Sequence, residues 1–104
     1  GGGGGGGGTV SVPVTNSWGI IEFAANTTLQ KLNPKVAAKK LSIINDSGDI
    51  FTGTNILIRK WGSTASFHMP PGMAVDLEIV GFTDEVAVSA AAPCTIHVIY
   101  SNQA

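Results

Sequence analysis

Charged side chains are scarce in this chain. Asp, Glu, Lys and Arg together make up 12% of its 104 residues, whereas soluble domains average about 25%. The six basic and seven acidic residues give a formal net charge of −1, so the sequence lacks the strong positive charge that attracts nucleic acids and anionic membranes. We expect neither a nucleic acid nor a membrane among its partners. A surface this poor in charge indicates that neighbouring subunits cover part of it.

Cysteine and long apolar runs are also lacking. Cys94 is the single cysteine, so the chain can form neither an intrachain disulfide nor a metal site built from several thiolates. No stretch reaches the roughly 18 consecutive apolar residues that a membrane-spanning helix needs. The sequence opens on glycines and not on a charged, then apolar leader. These features favour a small domain that buries one hydrophobic core.

Motifs that carry catalysis are missing as well. The sequence contains no G-x-S-x-G nucleophile elbow, and its octaglycine lacks the Lys-Ser/Thr of a phosphate loop. His68 and His97 are the only histidines, and an enzyme would need both to meet a carboxylate in one pocket. Asp46 and Asp49 flank a turn but lack the further oxygen ligands of a calcium loop. We expect a protein that is not an enzyme, with no catalytic, cofactor-binding or metal-binding residue and no cofactor.

What the sequence does contain is alternation of apolar and polar residues, which is typical of β-strands. The runs interpreted as strands or extended segments are Thr9–Val14, Trp18–Phe23, Thr27–Leu32, KKLSIIND, ILIRKW, SFH, AVDLEIV, EVAVSA and CTIHVIY. Turn residues separate them at intervals of about 8–12 residues. The pattern predicts an all-β fold: a single antiparallel β-sandwich or jelly roll of about seven to eight short strands with an extended glycine N-terminal arm.

The clearest alternation, AVDLEIV, also predicts which side chains face the core. Val75, Leu77 and Ile79 should point inward, whereas Asp76 and Glu78 should point to solvent. The MPPG sequence just before it is typical of a tight turn, in which glycine supplies a positive φ angle.

Eight glycines precede the first alternating run. Residues 1–8 are interpreted as a polyglycine N-terminal arm, and residues 9–104 as one β-sandwich domain. Glycine loses more backbone entropy on ordering than any other residue, so an ordered arm would need a partner that supplies hydrogen bonds. A linker or a stand-in for other residues is the alternative. Pro13 cannot donate to a β-ladder, so Thr9–Val14 is predicted to be an edge strand.

These considerations predict an interface that combines the arm, the first strand and the tryptophans, because aromatic side chains are enriched at the energetic centres of interfaces. Its predicted residues are Gly1, Gly8, Val10, Val12, Val14, Trp18 and Trp61.

From Leu29 onward, the order of segments resembles a known class of domain. The leucine-bearing stretch TLQKLNPK precedes LSIIND and ILIRKWG, the turn MPPGM, the acidic strand AVDLEI, the small-residue strand EVAVSAAA and the final strand TIHVIYSN. This order resembles the small β-sandwich domains of tailed-phage virion proteins, namely capsid decoration, head-fibre and tail accessory subunits.

The resemblance implies a non-enzymatic structural protein of a bacteriophage virion. Its partner would be the major capsid protein or another virion structural protein, to which it attaches to stabilise or decorate the particle. Such subunits form homo-oligomers, with trimers favoured, and lie on the virion, at the capsid surface or on the tail or neck.

An alternative function belongs to a different class. Trp18, Trp61 and Tyr100 could form an aromatic platform for a host glycan, as in a host-recognition or carbohydrate-binding module on a virion or cell surface. This alternative requires that two of the three rings lie side by side on an exposed concave face.

Overall fold

The computed structural model describes residues 18–102, and in this range it contains eight β-strands and one short 3₁₀ turn. The strands are β1 (Trp18–Ala25), β2 (Gln30–Lys31), β3 (Ala37–Ile44), β4 (Ile56–Lys60), β5 (Phe67–Met69), β6 (Ala74–Phe82), β7 (Val86–Ala90) and β8 (Cys94–Ser101), and the 3₁₀ turn is Thr83–Glu85. Across these residues, no helix has the length and apolar character needed to cross a bilayer.

The strands form two four-stranded antiparallel sheets. Sheet I has the order β1-β8-β3-β6, and sheet II has the order β2-β7-β4-β5. The chain passes between the sheets repeatedly, so that its first and last described strands lie side by side in sheet I; this strand order is that of a jelly roll. The predicted all-β sandwich is confirmed. The predicted arm, residues 1–8, and the predicted strand Thr9–Val14 lie outside the described residues.

The core fills the space between the two sheets. Alternate side chains of each sheet point into it, as period-2 patterning requires. The buried apolar residues are Ile21, Phe23, Ala25, Leu32, Ala38, Leu41, Ile43, Ile56, Ile58, Met69, Ile79, Val86, Val88, Ala90, Ile96 and Val98. Val75 and Leu77 pack against this cluster, whereas Asp76 and Glu78 are exposed, so the directions predicted for AVDLEIV are confirmed.

Residue type fixes two of the connections. Gly72 in the MPPG sequence has φ of 88°, the positive value that the sequence predicts. Thr83 is fully buried at the start of the 3₁₀ turn. Its Oγ1 donates to the carbonyl oxygen of Pro34 at 2.9 Å and accepts from the backbone N–H of Val36 at 3.0 Å. Thr83 therefore holds the connection between β2 and β3 against the turn that leads into β7.

The extended segment predicted over Thr27–Leu32 is shorter than expected. Only Gln30–Lys31 pairs as a strand, with β7. The residues before it form a turn in which the Asn26 side-chain oxygen accepts a hydrogen bond from the backbone N–H of Thr28 at 2.8 Å. After the strand, Leu32 turns into the core and is 2% exposed. The local hydrogen bond of Asn26 takes the chain out of the extended conformation, and for this reason the strand begins late.

Candidate functional site: two opposite outer faces

The outer surface of sheet I, here called the acidic face, collects carboxylates from three parts of the chain. They are Glu22 on β1, Asp46 just after β3, and Asp76 and Glu78 on β6. The Oγ of Ser42 donates to Asp76 across β3 and β6. Lys39 and Lys40 lie at a bulge of β3. Four carboxylates against two lysines leave this side of the sandwich with an excess of negative charge.

His97 lies between two of these carboxylates. An ionised carboxylate can only accept hydrogen bonds, so His97 Nδ1 donates to Asp46 Oδ2, at 2.6 Å. His97 Nε2 is 3.6 Å from Glu22 Oε2, and Glu22 is its cross-strand neighbour in the β1–β8 register. Over residues 18–102, no group of three or more His, Cys, Asp or Glu side chains is arranged to hold a metal ion.

The acidic face also carries an apolar corner made by Trp18, Ile20 and Ile99. Ile20 and Ile99 are directly opposite in the β1–β8 register, and Trp18 is two residues from Ile20 on the same side of β1. Their exposed fractions are 64% for Trp18, 60% for Ile20 and 37% for Ile99. Adjacent exposed apolar side chains of this size are typical of an interaction surface.

The outer surface of sheet II, here called the basic face, has the opposite charge. Lys31 and Arg59 are both paired with Ala87 and point outward in one row across β2, β7 and β4. The strands of sheet II contain neither Asp nor Glu. Arg59 donates from Nε and Nη2 to Ser66 Oγ, at 3.0 and 2.7 Å. This side of the sandwich therefore presents cations without a compensating carboxylate on its strands.

An aromatic and an aliphatic side chain accompany these cations. The ammonium nitrogen of Lys31 lies 4.7 Å from the centroid of the Trp61 ring, within the range of a cation–π interaction. Leu57, two residues before Arg59 on the same side of β4, is 38% exposed, and Trp61 is 49% exposed. The basic face thus combines two cations with two apolar anchors.

The loop between β3 and β4, residues 45–55, presents two further apolar side chains. Ile50 is 73% exposed and Phe51 is 88% exposed. Beneath them, the Asp49 carboxylate accepts hydrogen bonds from the backbone N–H groups of Thr52 and Phe51, both at 2.8 Å. These hydrogen bonds hold the pKa of Asp49 below its ordinary value, because they favour the charged form of the carboxylate, and the bond from Thr52 has the larger effect.

The residues predicted for the interface divide into two groups. Trp18 and Trp61 are exposed on opposite outer faces, and a contact with a partner stays a prediction for both. The predicted residues Gly1, Gly8, Val10, Val12 and Val14 lie outside the described residues.

The aromatic platform that a glycan-binding module requires is not formed. Tyr100 is paired with Gly19 and Leu41, points inward and packs against the core. Its ring occupies the space that a Cβ atom at Gly19 would need. Since Trp18 and Trp61 lie on opposite faces, no two of the three rings lie side by side. The expectation of a shared platform is therefore wrong for these residues.

The two histidines do not meet either. His68 pairs with Leu57 on β4 and points outward from sheet II, whereas His97 points outward from sheet I. The core of the sandwich separates them.

Sequence reasoning missed the partners of His97 and the apolar tip of the 45–55 loop. Asp46 and Glu22 are distant from His97 in the chain, and only the register of β1, β8 and β3 brings the three together. The exposed tip of the loop could have been predicted from the sequence, because the apolar pair Ile50-Phe51 interrupts the otherwise polar stretch DSGDIFTGTN.

Comparison with known proteins gives a distant likeness among solved structures. No family model matches the chain, and no curated protein matches it. Among solved structures, the chain is similar to a protein described in the words "Bacillus endospore appendages form a novel family of disulfide-linked pili", with a TM-score of 0.47 and 17% sequence identity. The similarity covers 89% of this chain and 97% of that chain. A likeness of this degree says nothing about what this chain binds.

Proposed function

We propose that the chain is a non-enzymatic structural subunit that attaches to a tailed-phage virion, at the capsid surface or at another virion structural protein of the neck or tail. The observation that carries the proposal is the number of large apolar side chains that remain exposed. They are Trp18, Ile20, Ile50, Phe51, Leu57, Trp61, Phe67, Val80, Phe82 and Ile99. Exposed apolar side chains grouped in this way, on a chain with few charges, are typical of a component of a larger assembly.

The edges of sheet I offer a second means of attachment. Within residues 18–102, β6 pairs with β3 alone, so the outer edge of this nine-residue strand can accept a strand from a partner. Pairing of that kind supplies affinity through backbone hydrogen bonds. The proposed subunit would also use Thr9–Val14 and the arm, residues 1–8, and would associate with copies of itself, a trimer being the favoured number.

Binding to virion shells tests the proposal. The purified full chain is mixed with tailed-phage capsids that lack it and is then co-sedimented; we expect the chain to travel with the capsids. Replacing Trp18→Ser should reduce the bound fraction about tenfold, since tryptophans dominate interface energetics. Ile50→Ser, at a residue that is 73% exposed but lies in the 45–55 loop, separates two causes. A general loss of exposed apolar surface would weaken binding in both variants, whereas a contact at the corner of Trp18, Ile20 and Ile99 would weaken it only in Trp18→Ser. Absence of the chain from both the capsid pellet and purified virions would overturn the proposal.

Deletion of residues 1–8 tests the arm separately. We expect weaker attachment to capsids with an unchanged circular dichroism spectrum, because residues 1–8 are all glycine and carry no side chain that could fill a core. Unchanged attachment would exclude the arm as a contact and leave the sheet surface to carry it.

A further inference from the structure

The two outer faces of the sandwich differ in charge sign. The acidic face carries four carboxylates and the two lysines of the β3 bulge, whereas the outer side of sheet II carries Lys31 and Arg59 and its strands contain no carboxylate. The core separates the faces, so the molecule has a negative side and a positive side although its formal net charge is only −1.

Each face also carries exposed apolar side chains among its charges. On the acidic face these are Trp18, Ile20 and Ile99, and on the basic face they are Leu57 and Trp61. An apolar centre with charged neighbours of one sign on one surface, and of the other sign on its counterpart, is the pattern of complementary interfaces.

We propose that a second copy of this chain docks face to face, with the basic face of one copy on the acidic face of the next. The inference deepens the proposed structural function and rests on it. Because the two faces are different surfaces on opposite sides of one molecule, the contact is heterologous, and a docked pair keeps one free acidic face and one free basic face. Such a contact does not close into a ring, so it repeats and gives an open stack of subunits in place of the trimer that a closed oligomer would form.

The charges make association of the copies sensitive to salt. Charge pairs at the margin of an interface act mainly on the association rate and its salt dependence. Their range falls from about 10 Å at 0.1 M salt to about 3 Å at 1 M. We expect the mass-average size of the full chain to rise with protein concentration at low salt and to fall towards the monomer at high salt.

Charge reversal on each face tests the proposal by sedimentation velocity. The variant Lys31→Glu/Arg59→Glu has two acidic faces, and the variant Glu22→Lys/Glu78→Lys has two basic faces. Each variant alone should associate about tenfold more weakly than the natural sequence. Mixed in equal amounts, the two should associate again, because every contact in the mixture can pair an acidic with a basic face.

The matched control is Lys60→Glu. It reverses the same charge as Arg59→Glu does, one residue further along β4. Lys60 lies on the other side of β4 by strand alternation, so its reversal should leave association unchanged. Circular dichroism verifies folding, and the neutral pair Glu22→Gln/Glu78→Gln replaces the lysine variant if the latter does not fold.

The outcomes separate stacking from the broader proposal. Association that is unaffected by Lys31→Glu/Arg59→Glu, or a mixture that stays monomeric, would overturn the stack, even if the chain still binds capsids. A chain that binds capsids and stacks as described supports both inferences. Binding of a polyanion to the basic face with no self-association would also overturn the stack.

Discussion

Asn45 connects the two ends of its own loop, residues 45–55, with the end of β5 at one end of the sandwich. Its side chain is fully buried, and its Nδ2 donates to the carbonyl oxygens of Thr54 and Met69, at 2.8 and 3.0 Å. Its Oδ1 accepts from the Ser47 hydroxyl at 2.7 Å. A buried amide that satisfies several backbone groups fixes the loops around it. The exposed Ile50 and Phe51 are thus carried by a loop whose base is held in place.

We expect Asn45→Ala to lower the free energy of unfolding by about 1–3 kcal/mol, because buried carbonyl groups lose their donor. Asn55→Ala, at an exposed position in the same loop, is the control and should change stability by about 0.5 kcal/mol or less. Urea denaturation measures both. Equal urea midpoints for the two variants would contradict the conclusion that the buried Asn45 side chain stabilises these loops.

The Asp49 carboxylate predicts a dependence of stability on pH. Its folded-state pKa is lowered by the hydrogen bonds from Thr52 and Phe51, so the unfolded chain binds its proton more readily than the folded chain does. The stabilisation is complete above the unfolded pKa, about 3.9, and is lost as the pH falls through the folded-state value. Below pH 4 the stability of the natural sequence should therefore fall.

Asp49→Asn tests this dependence, because it removes the titrating group from the loop. The variant should be less stable than the natural sequence at pH 7, and the difference should shrink as the pH falls below 4. Thermal unfolding at several pH values measures the difference in stability between the variant and the natural sequence. A difference that stays constant over this pH range would show that Asp49 does not cause the loss of stability at low pH.

At the scale of elements, β3 and β8 show how one sheet contributes side chains both to the core and to an exposed outer face. Ile43 on β3 is fully buried between the sheets, and Ile99 on β8 is 37% exposed on the acidic face. Ile43 pairs with Val98, the residue next to Ile99, so the two isoleucines lie close in the sheet and point to opposite sides. Strand alternation alone assigns one to the core and the other to the surface.

We expect Ile43→Ala to cost about 2–5 kcal/mol of folding free energy, because it removes buried methyl groups and leaves a cavity. Ile99→Ala should cost about 1 kcal/mol or less, since much of its side chain is already exposed. It should instead weaken self-association, as measured by sedimentation. A large loss of stability from Ile99→Ala would mean that this residue belongs to the core.

Strand alternation made much of the element pattern predictable from the sequence. In AVDLEIV and in CTIHVIY, the directions of the apolar residues follow from period 2, and the structure has Ile79, Ile96 and Val98 buried. The exception is Thr27–Leu32, where the side-chain hydrogen bond of Asn26 competes with the extended conformation. The alternation of apolar and polar residues predicts which way each side chain of a strand points, whereas local side-chain hydrogen bonds decide where the strand begins.

Pairing between distant strands could not be predicted in the same way. The cluster of His97 with Asp46 and Glu22 depends on which strands become neighbours and in which register. The same is true of the row that places Lys31 and Arg59 on either side of Ala87. A shift of register by one residue would send every one of these side chains to the other face. The aromatic platform is not formed for a different reason, strand alternation, which places Tyr100 on the inner side of β8 and Trp18 on the outer side of β1.

At the scale of the whole molecule, one core joins two faces of opposite charge. The buried cluster contains residues from both sheets, for example Ile43 of sheet I and Val88 of sheet II. Small domains with one core usually unfold as a unit. A rigid unit of this kind keeps the acidic and basic faces at a fixed separation, and a regular stack of copies requires that separation to be constant.

Hydrogen exchange can test whether the two sheets unfold together. The backbone amides of Val98 in β8 and Val88 in β7 lie in central strands of sheets I and II, and they should exchange with the same free energy, that of global unfolding. Ile43→Ala, although it lies in sheet I, should then lower protection at both amides by the same factor, roughly 30-fold or more, as follows from its cavity cost. Ile99→Ala should affect both far less. Loss of protection at Val98 alone would show that sheet I opens without sheet II, and the two charged faces would then not be held by one cooperative unit.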